Sequence, residues 1–124
     1  MPDNGLTLKE GWEFDLIFRT GLRVQGELVR LLFLRQTPPP ENGPRAGYVV
    51  GKRQGKAHVR NRGKRVLREA FRRLRSWVPS DLSIVVSLKD KALHTKANEV
   101  YYDMARVLRK NGLLVADWPG PRWT

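Results

Sequence analysis

The sequence predicts an α+β fold, one sheet with helices packed on it, in the order helix, three strands, helix, strand, helix. Three observations carry that reading. Apolar residues recur at helical spacing around Phe14, Ile17 and Phe18, again at Leu67, Ala70, Phe71, Leu74 and Val78, and again at Ala97, Tyr101, Met104, Ala105 and Leu108. Between these stretches lie short β-branched and apolar runs too brief for helices, of which LSIVVSL at 82–88 is the plainest. Finally, 124 residues without an internal repeat make a single domain, 1–124, large enough to build a core without metal or disulfide staples.

Taken in order, residues 1–5 read as a short flexible lead. Thr7 with Glu10 three residues on forms a capping box for a first helix, which carries Leu8, Trp12 and Ile17 and the Phe14/Phe18 pair and stops at Thr20-Gly21. Aromatic residues at i, i+4 are commonly core. Leu22 to Val24 and Glu27 to Gln36 read as strands, with Gly26 permitting a bend or bulge between them. TPPPENGP at 37–44 is the clearest loop, because three consecutive prolines cannot donate to a ladder and Asn42-Gly43 favours a turn. Ala46 to Gly51 is a third strand. The second helix starts at about His58 after Gly55 and ends at Val78-Pro79; Leu82 to Leu88 is a buried strand, and His94 to Lys110 a third helix stopped by Gly112. The tail, 113–124, leaves two options open, packing back on the domain or hanging free.

The charge is concentrated. Residues 52–75 hold eleven Lys or Arg (Lys52, Arg53, Lys56, Arg60, Arg62, Lys64, Arg65, Arg68, Arg72, Arg73, Arg75) against one acid, Glu69, so the formal +12 divides into +10 here and +2 over the other hundred residues. Arg60, Lys64 and Arg68 stand at i, i+4, i+8, and Asn61, Arg65 and Arg72 extend the same face. A row so nearly pure in sign cannot be explained by intrahelical salt bridges, which need the opposite sign at i+4; a polyanion would explain it. A solvated charged face is the bland alternative. Gly51-Lys52-Arg53-Gln54-Gly55-Lys56 lacks the spacing and terminal Lys-Ser/Thr of a nucleotide-binding P-loop, so that motif is rejected.

Composition excludes other classes. With no cysteine and only His58 and His94, the chain offers no thiol nucleophile, disulfide framework, or Cys- or His-based zinc site. His58 reads as a helix-start or packing residue rather than a general base. The twelve acids are scattered, which argues against a self-sufficient two-metal nuclease. No apolar run approaches a membrane span or signal-peptide core, so the expectation is a soluble cytoplasmic protein without a membrane partner.

RAGYVVGKRQGKA at 45–57 followed by RNRGKRVLREAFR at 60–72 closely resembles the protein subunit of bacterial ribonuclease P. The match is dense over Arg45 to Arg73 and looser, but in register, over most of the chain. The resemblance implies one mixed four-stranded sheet with a left-handed β-α-β crossover around the Arg-Asn-Arg helix. It implies that the RNA subunit, using Mg2+, cleaves precursor tRNA to the mature 5′ end, and that the protein binds both that RNA and the precursor's 5′ leader. On this reading Arg53, Lys56, Arg60, Asn61, Arg62, Lys64, Arg65, Arg68 and Arg72 face the catalytic RNA, and Phe14, Phe18, Tyr48, Val50, Lys52 and Lys89 line the leader cleft. No catalytic residue and no metal site are expected in the protein itself.

The chemistry suits both roles. Arginine forks grip phosphates bidentately, and Asn61 can contact a 2′-hydroxyl or a hydrated magnesium ion that arginine would repel. Aromatics beside cations hold single-stranded RNA by stacking and charge, so Phe14 and Phe18 read equally as core and as leader contacts. Two departures from the family are Glu10, Glu13 and Asp15, which make the first helix acidic, and Leu88, where the family often has a cation. The alternative function is a general RNA-binding protein, ribosome- or nucleoid-associated, with no nuclease role.

Overall fold

The structure, a computed structural model, describes Leu8, residues 11–39 and residues 43–123, with Lys52 described in its backbone alone. The lead at 1–5, the Thr7/Glu10 capping box and the 40–42 part of the proline-rich loop lie outside the described residues. The elements are α1 (Gly11–Thr20), β1 (Leu22–Gln25), β2 (Val29–Arg35), β3 (Arg45–Val49), α2 (Ala57–Arg72), β4 (Leu82–Leu88) and α3 (Ala97–Lys110). Short 3-10 turns at Lys52–Gln54, Arg75–Trp77 and Asp90–Ala92 precede or follow them. The expected order therefore holds.

The sheet runs β1-β2-β4-β3, antiparallel except for the parallel β3/β4 pair, so β4 is inserted between β2 and β3 and α2 makes the crossover. As a central strand β4 is covered on both faces, which is why LSIVVSL is almost continuously apolar. One face, with Val29, Leu31, Phe33, Ile84, Val86 and Leu88, meets Val66, Leu67, Ala70 and Phe71 of α2 and Val100, Met104 and Leu108 of α3 in the main core. The other face presents Leu32 and Val85 to Ile17 of α1 and to Leu8.

Three boundaries move from their expected places. Helix α2 ends at Arg72 rather than near Val78: the Leu74 N–H bonds back to Phe71 O, the chain tightens into a 3-10 turn, and Val78 is extended, as a residue before proline must be. Leu74 and Val78 stay buried, so the apolar stripe continues although the helix does not. Strand β2 starts at Val29 because the N–H groups of Glu27, Leu28 and Val29 donate to the buried Asp103 carboxylate of α3, at 3.1, 2.7 and 3.1 Å. Arg106 also donates to Asp103. Gly26 is needed there for closeness: a Cβ would stand 2.6 Å from Asp103 Oδ2 and from Val107 Cγ2. Helix α3 begins at Ala97, preceded by the 3-10 turn, and Gly112 (φ +70°) does end it.

The tail packs back. Leu113 is buried, the Val115 N–H donates to Trp77 O (2.8 Å), and the Arg122 N–H donates to the Tyr101 hydroxyl (2.7 Å). Trp123 lies against Tyr101, with the Arg73 guanidinium 3.8 Å from its ring centroid.

Candidate nucleic-acid interface

Two surfaces flank β3, the edge strand. On one side is α2. Its buried stripe docks on the sheet, and the rest of its circumference is left to Arg, Lys and Asn. No acid stands in its first turn, and Lys56 is its N-cap. The positive end of the helix dipole and its free N–H groups thus coincide with cationic side chains, a combination that suits a phosphate. Arg60 and Lys64 are half-buried, whereas Arg53, Lys56, Asn61 and Arg65 are exposed. None of these six has a side-chain hydrogen bond or ion pair among the described residues. The other three cations are partly engaged. Arg62 donates to Leu93 O (3.0 Å), and Arg68 lies with its guanidinium 5.4 Å from the Tyr48 ring centroid. Arg72 pairs with Glu69 (2.9 Å), which also pairs with Arg73 (3.0 Å). Hydrogen bonds from Arg72 and Arg73 hold the Glu69 carboxyl below its ordinary value.

The turn after β3 is held by Gln54, which accepts from the Gly51 N–H (2.8 Å) and donates to Leu88 O (3.0 Å) and Asp90 (2.8 Å). That fixes the backbone of Lys52 and Arg53 between the two surfaces; the Lys52 side chain lies outside the described residues.

On the other side is α1. Phe14 lies over Gly47 so closely that a Cβ there would stand 2.6 Å from its ring, and Val49 packs at the margin of the same small cluster. Phe18, one turn on, is 42% exposed. Paired residues share a face of the sheet, and α1 covers the row Leu32–Val85–Gly47. The next row, Gln25–Arg30–Ser87–Val49, is left exposed or half-buried, a ledge next to the row that α1 covers.

This geometry corrects one grouping. Tyr48 and Val50 do not join Phe14 and Phe18. They point to the opposite face, where Tyr48 meets Phe71 edge-on at 6.4 Å and Val50 is buried beneath α2 against Gly63. Alternation puts Gly47 and Val49 on the α1 side, and the ledge residues Arg30, Ser87 and Val49 are those that sequence reasoning missed. Lys89 is half-buried beyond the end of β4, where it lines a depression of about 440 Å³ with Gln25, Glu27, Arg106 and Lys110. The acidity of α1 is also less than it reads: Glu13 is 4% exposed and paired with Arg45 at 2.5 Å, so its charge does not reach the surface.

Among the described residues, no group of His, Asp and Glu could hold a metal ion, and no helix is long and apolar enough to cross a membrane.

The sequence and the fold both have counterparts among known proteins. The family model described as Ribonuclease P matches residues 3–112. A ribonuclease P protein component from Thermus scotoductus is 41% identical over 90 residues, covering 73% of this chain and 54% of its own length. One from Nitratiruptor is 30% identical over 104 residues, covering 84% of this chain and 90% of that protein. The chain thus spans about half the length of the Thermus scotoductus relative and nearly all of the Nitratiruptor one. The solved RNase P protein from Thermotoga maritima has the same fold at a TM-score of 0.73 and 30% identity, covering 84% of this chain and 96% of that one.

Proposed function

The chain belongs to the ribonuclease P protein family, and from that premise we propose that it is the protein subunit of a ribonucleoprotein endoribonuclease whose RNA removes the 5′ leader of precursor tRNA. The observation that carries this reading is the set of six side chains without partners on and before α2, set across one strand from an aromatic ledge. Helix α2 grips the catalytic RNA: Arg53, Lys56, Arg60, Lys64 and Arg65 neutralise phosphates, Arg62, Arg68 and Arg72 add to the same field, and Asn61 supplies a polar contact without charge. The ledge takes the leader, with Phe14 and Phe18 as stacking rings, Val49 and Ser87 as floor, and Arg30, Lys52 and Lys89 as cations along its backbone.

Tyr48 then acts from the other face, holding Arg68, and Val50 by supporting α2. Successive residues of β3 face opposite sides of the sheet, so leader and catalytic RNA would be held one strand apart. This brings the substrate's 5′ side to the RNA that cleaves it. Mg2+ supplies the RNA's chemistry; the described residues of the protein hold no carboxylate cluster that would bind it. A cytoplasmic location follows from the substrate.

The test is reconstitution. Purified protein alone should leave precursor tRNA intact. With a bacterial ribonuclease P RNA and Mg2+ at near-physiological salt, 5′ maturation should exceed that given by the RNA alone. Cleavage by the protein alone, or no gain over the RNA, refutes the proposal.

A further inference from the structure

Helix α3 and the tail build a second aromatic and cationic surface, which shares only Arg106 and Lys110 with the depression that Lys89 lines. Opposite its buried face α3 presents Tyr102, Arg106, Arg109 and Lys110 at i, i+4, i+7 and i+8, all exposed. The tail, which runs past the end of the family match at residue 112, returns along this stripe. Its anchors at Trp77, Tyr101 and Arg73 leave Trp118 half-buried beside α3, with the Arg109 guanidinium 5.7 Å from its ring centroid. Between helix and tail lies a depression of about 470 Å³ whose lining includes Tyr102, Arg109, Lys110, Trp118 and Pro121 and no large aliphatic side chain. Tyr102 is 44% exposed.

We infer that this groove binds an unpaired segment of the catalytic RNA, bases stacking on Tyr102 and Trp118 and phosphates meeting Arg109 and Lys110. Arg106 counts for little here, since it is tied to the buried Asp103. Arg109 and Lys110 have no acidic partner among the described residues, and the exposed acids Glu99 and Asp117 do not line the groove. A lining of rings and cations without aliphatic bulk fits a nucleic acid better than a protein helix. The rings require an open base face, hence an unpaired segment. The catalytic RNA is favoured over the leader by position: α2 and α3 share one face of the sheet, joined at Arg73 to the tail, and the Phe14/Phe18 ledge lies on the other.

The inference rests on the proposed function, so its test carries Arg65→Ala as a control. Affinity of a bacterial ribonuclease P RNA for the full chain is measured against salt for wild type, Arg65→Ala, Tyr102→Ala, Tyr102→Phe and Lys110→Ala, with melting temperatures. Tyr102→Ala should weaken binding about fivefold or more, the low end for one base–aromatic stack, and Tyr102→Phe should restore it. Lys110→Ala should flatten the log–log salt slope by about 0.7–0.9. Nucleotides that lose chemical protection in Tyr102→Ala should be unpaired ones. If Arg65→Ala weakens binding but Tyr102→Ala and Lys110→Ala bind as wild type, the groove is not an RNA site and the α2 interface stands. A loss confined to precursor tRNA also overturns the inference. If Arg65→Ala too has no effect, the proposed function falls with it. Should Tyr102→Ala fail to fold, Lys110→Ala alone decides.

Discussion

Phe18→Ala separates a ring that contacts RNA from a ring that holds the fold. Phe18 is 42% exposed, whereas Ile17 beside it is fully buried. A Phe→Ala change in a closed core costs about 3–5 kcal/mol. With much of the ring already in water and no cavity enclosed, the stability loss here is about 1–2 kcal/mol, a fall of under about 10 °C in melting temperature. The loss of one base–aromatic stack is worth about 1–3 kcal/mol, or roughly five- to 150-fold in precursor affinity. The assay is equilibrium binding of precursor and mature tRNA to the reconstituted protein–RNA complex, alongside thermal melting. Precursor affinity should fall while mature tRNA, which lacks a leader, and assembly with the catalytic RNA hardly change. A large thermal loss with equal damage to both affinities would refute the assignment and return Phe18 to the core.

Three further outcomes are expected. Arg65→Ala, exposed and without a partner among the described residues, should leave stability unchanged and flatten the salt dependence of catalytic-RNA binding by about 0.7–0.9 in log–log slope; an unchanged slope would mean that Arg65 meets no phosphate. Glu69→Gln releases Arg72 and Arg73 from the acid they share, so affinity for the catalytic RNA should rise and the slope steepen by up to about one unit; weaker binding would show that the pairing positions those arginines instead. Asp103→Ala strands the N–H groups of Glu27, Leu28 and Val29 and frees Arg106, and should cost about 2–4 kcal/mol in denaturant unfolding; a cost below about 0.5 kcal/mol would mean that water replaces the carboxylate.

The order of elements was legible because each buries its own apolar stripe, and periodicity reports burial directly. What periodicity cannot report is where a stripe changes conformation: Leu74 and Val78 are buried whether α2 continues or tightens into a 3-10 turn. Nor could it tell the two faces of β3 apart. Helices cover both sides of the sheet, so Ala46, Tyr48 and Val50 look no more inward than Gly47 and Val49, and no pattern in the strand assigns Tyr48 and Val50 to the α2 side where they lie. Gly47 was the available signal, a strand glycine at which another group approaches. Glu13, which makes the first helix read as acidic, is half of a partly buried pair with Arg45, 32 positions away. The tail is pinned by contacts such as that of the Arg122 N–H with the Tyr101 hydroxyl, for which no spacing rule exists.

The basic row survives on α2 because the helix is held from its other side. Like charges at i, i+4 along Arg60, Lys64 and Arg68 disfavour an isolated helix by roughly 0.2–0.5 kcal/mol per pair. Burying Leu67 and Phe71 completely stabilises it by about 1.5–3 kcal/mol each. The packed face therefore outweighs the repulsion severalfold, and the charged face is free to remain unpaired. Pairing each cation with an acid at i+4 would have strengthened the free protein slightly and left few charges for a phosphate. Glu69 does this, and it sits near the C-terminal end of α2, away from the Arg60–Arg65 turn where the unpartnered side chains gather. The distribution of that one acid is what an anion-binding helix requires: charge held open where the helix dipole is also positive, and compensated where it is not.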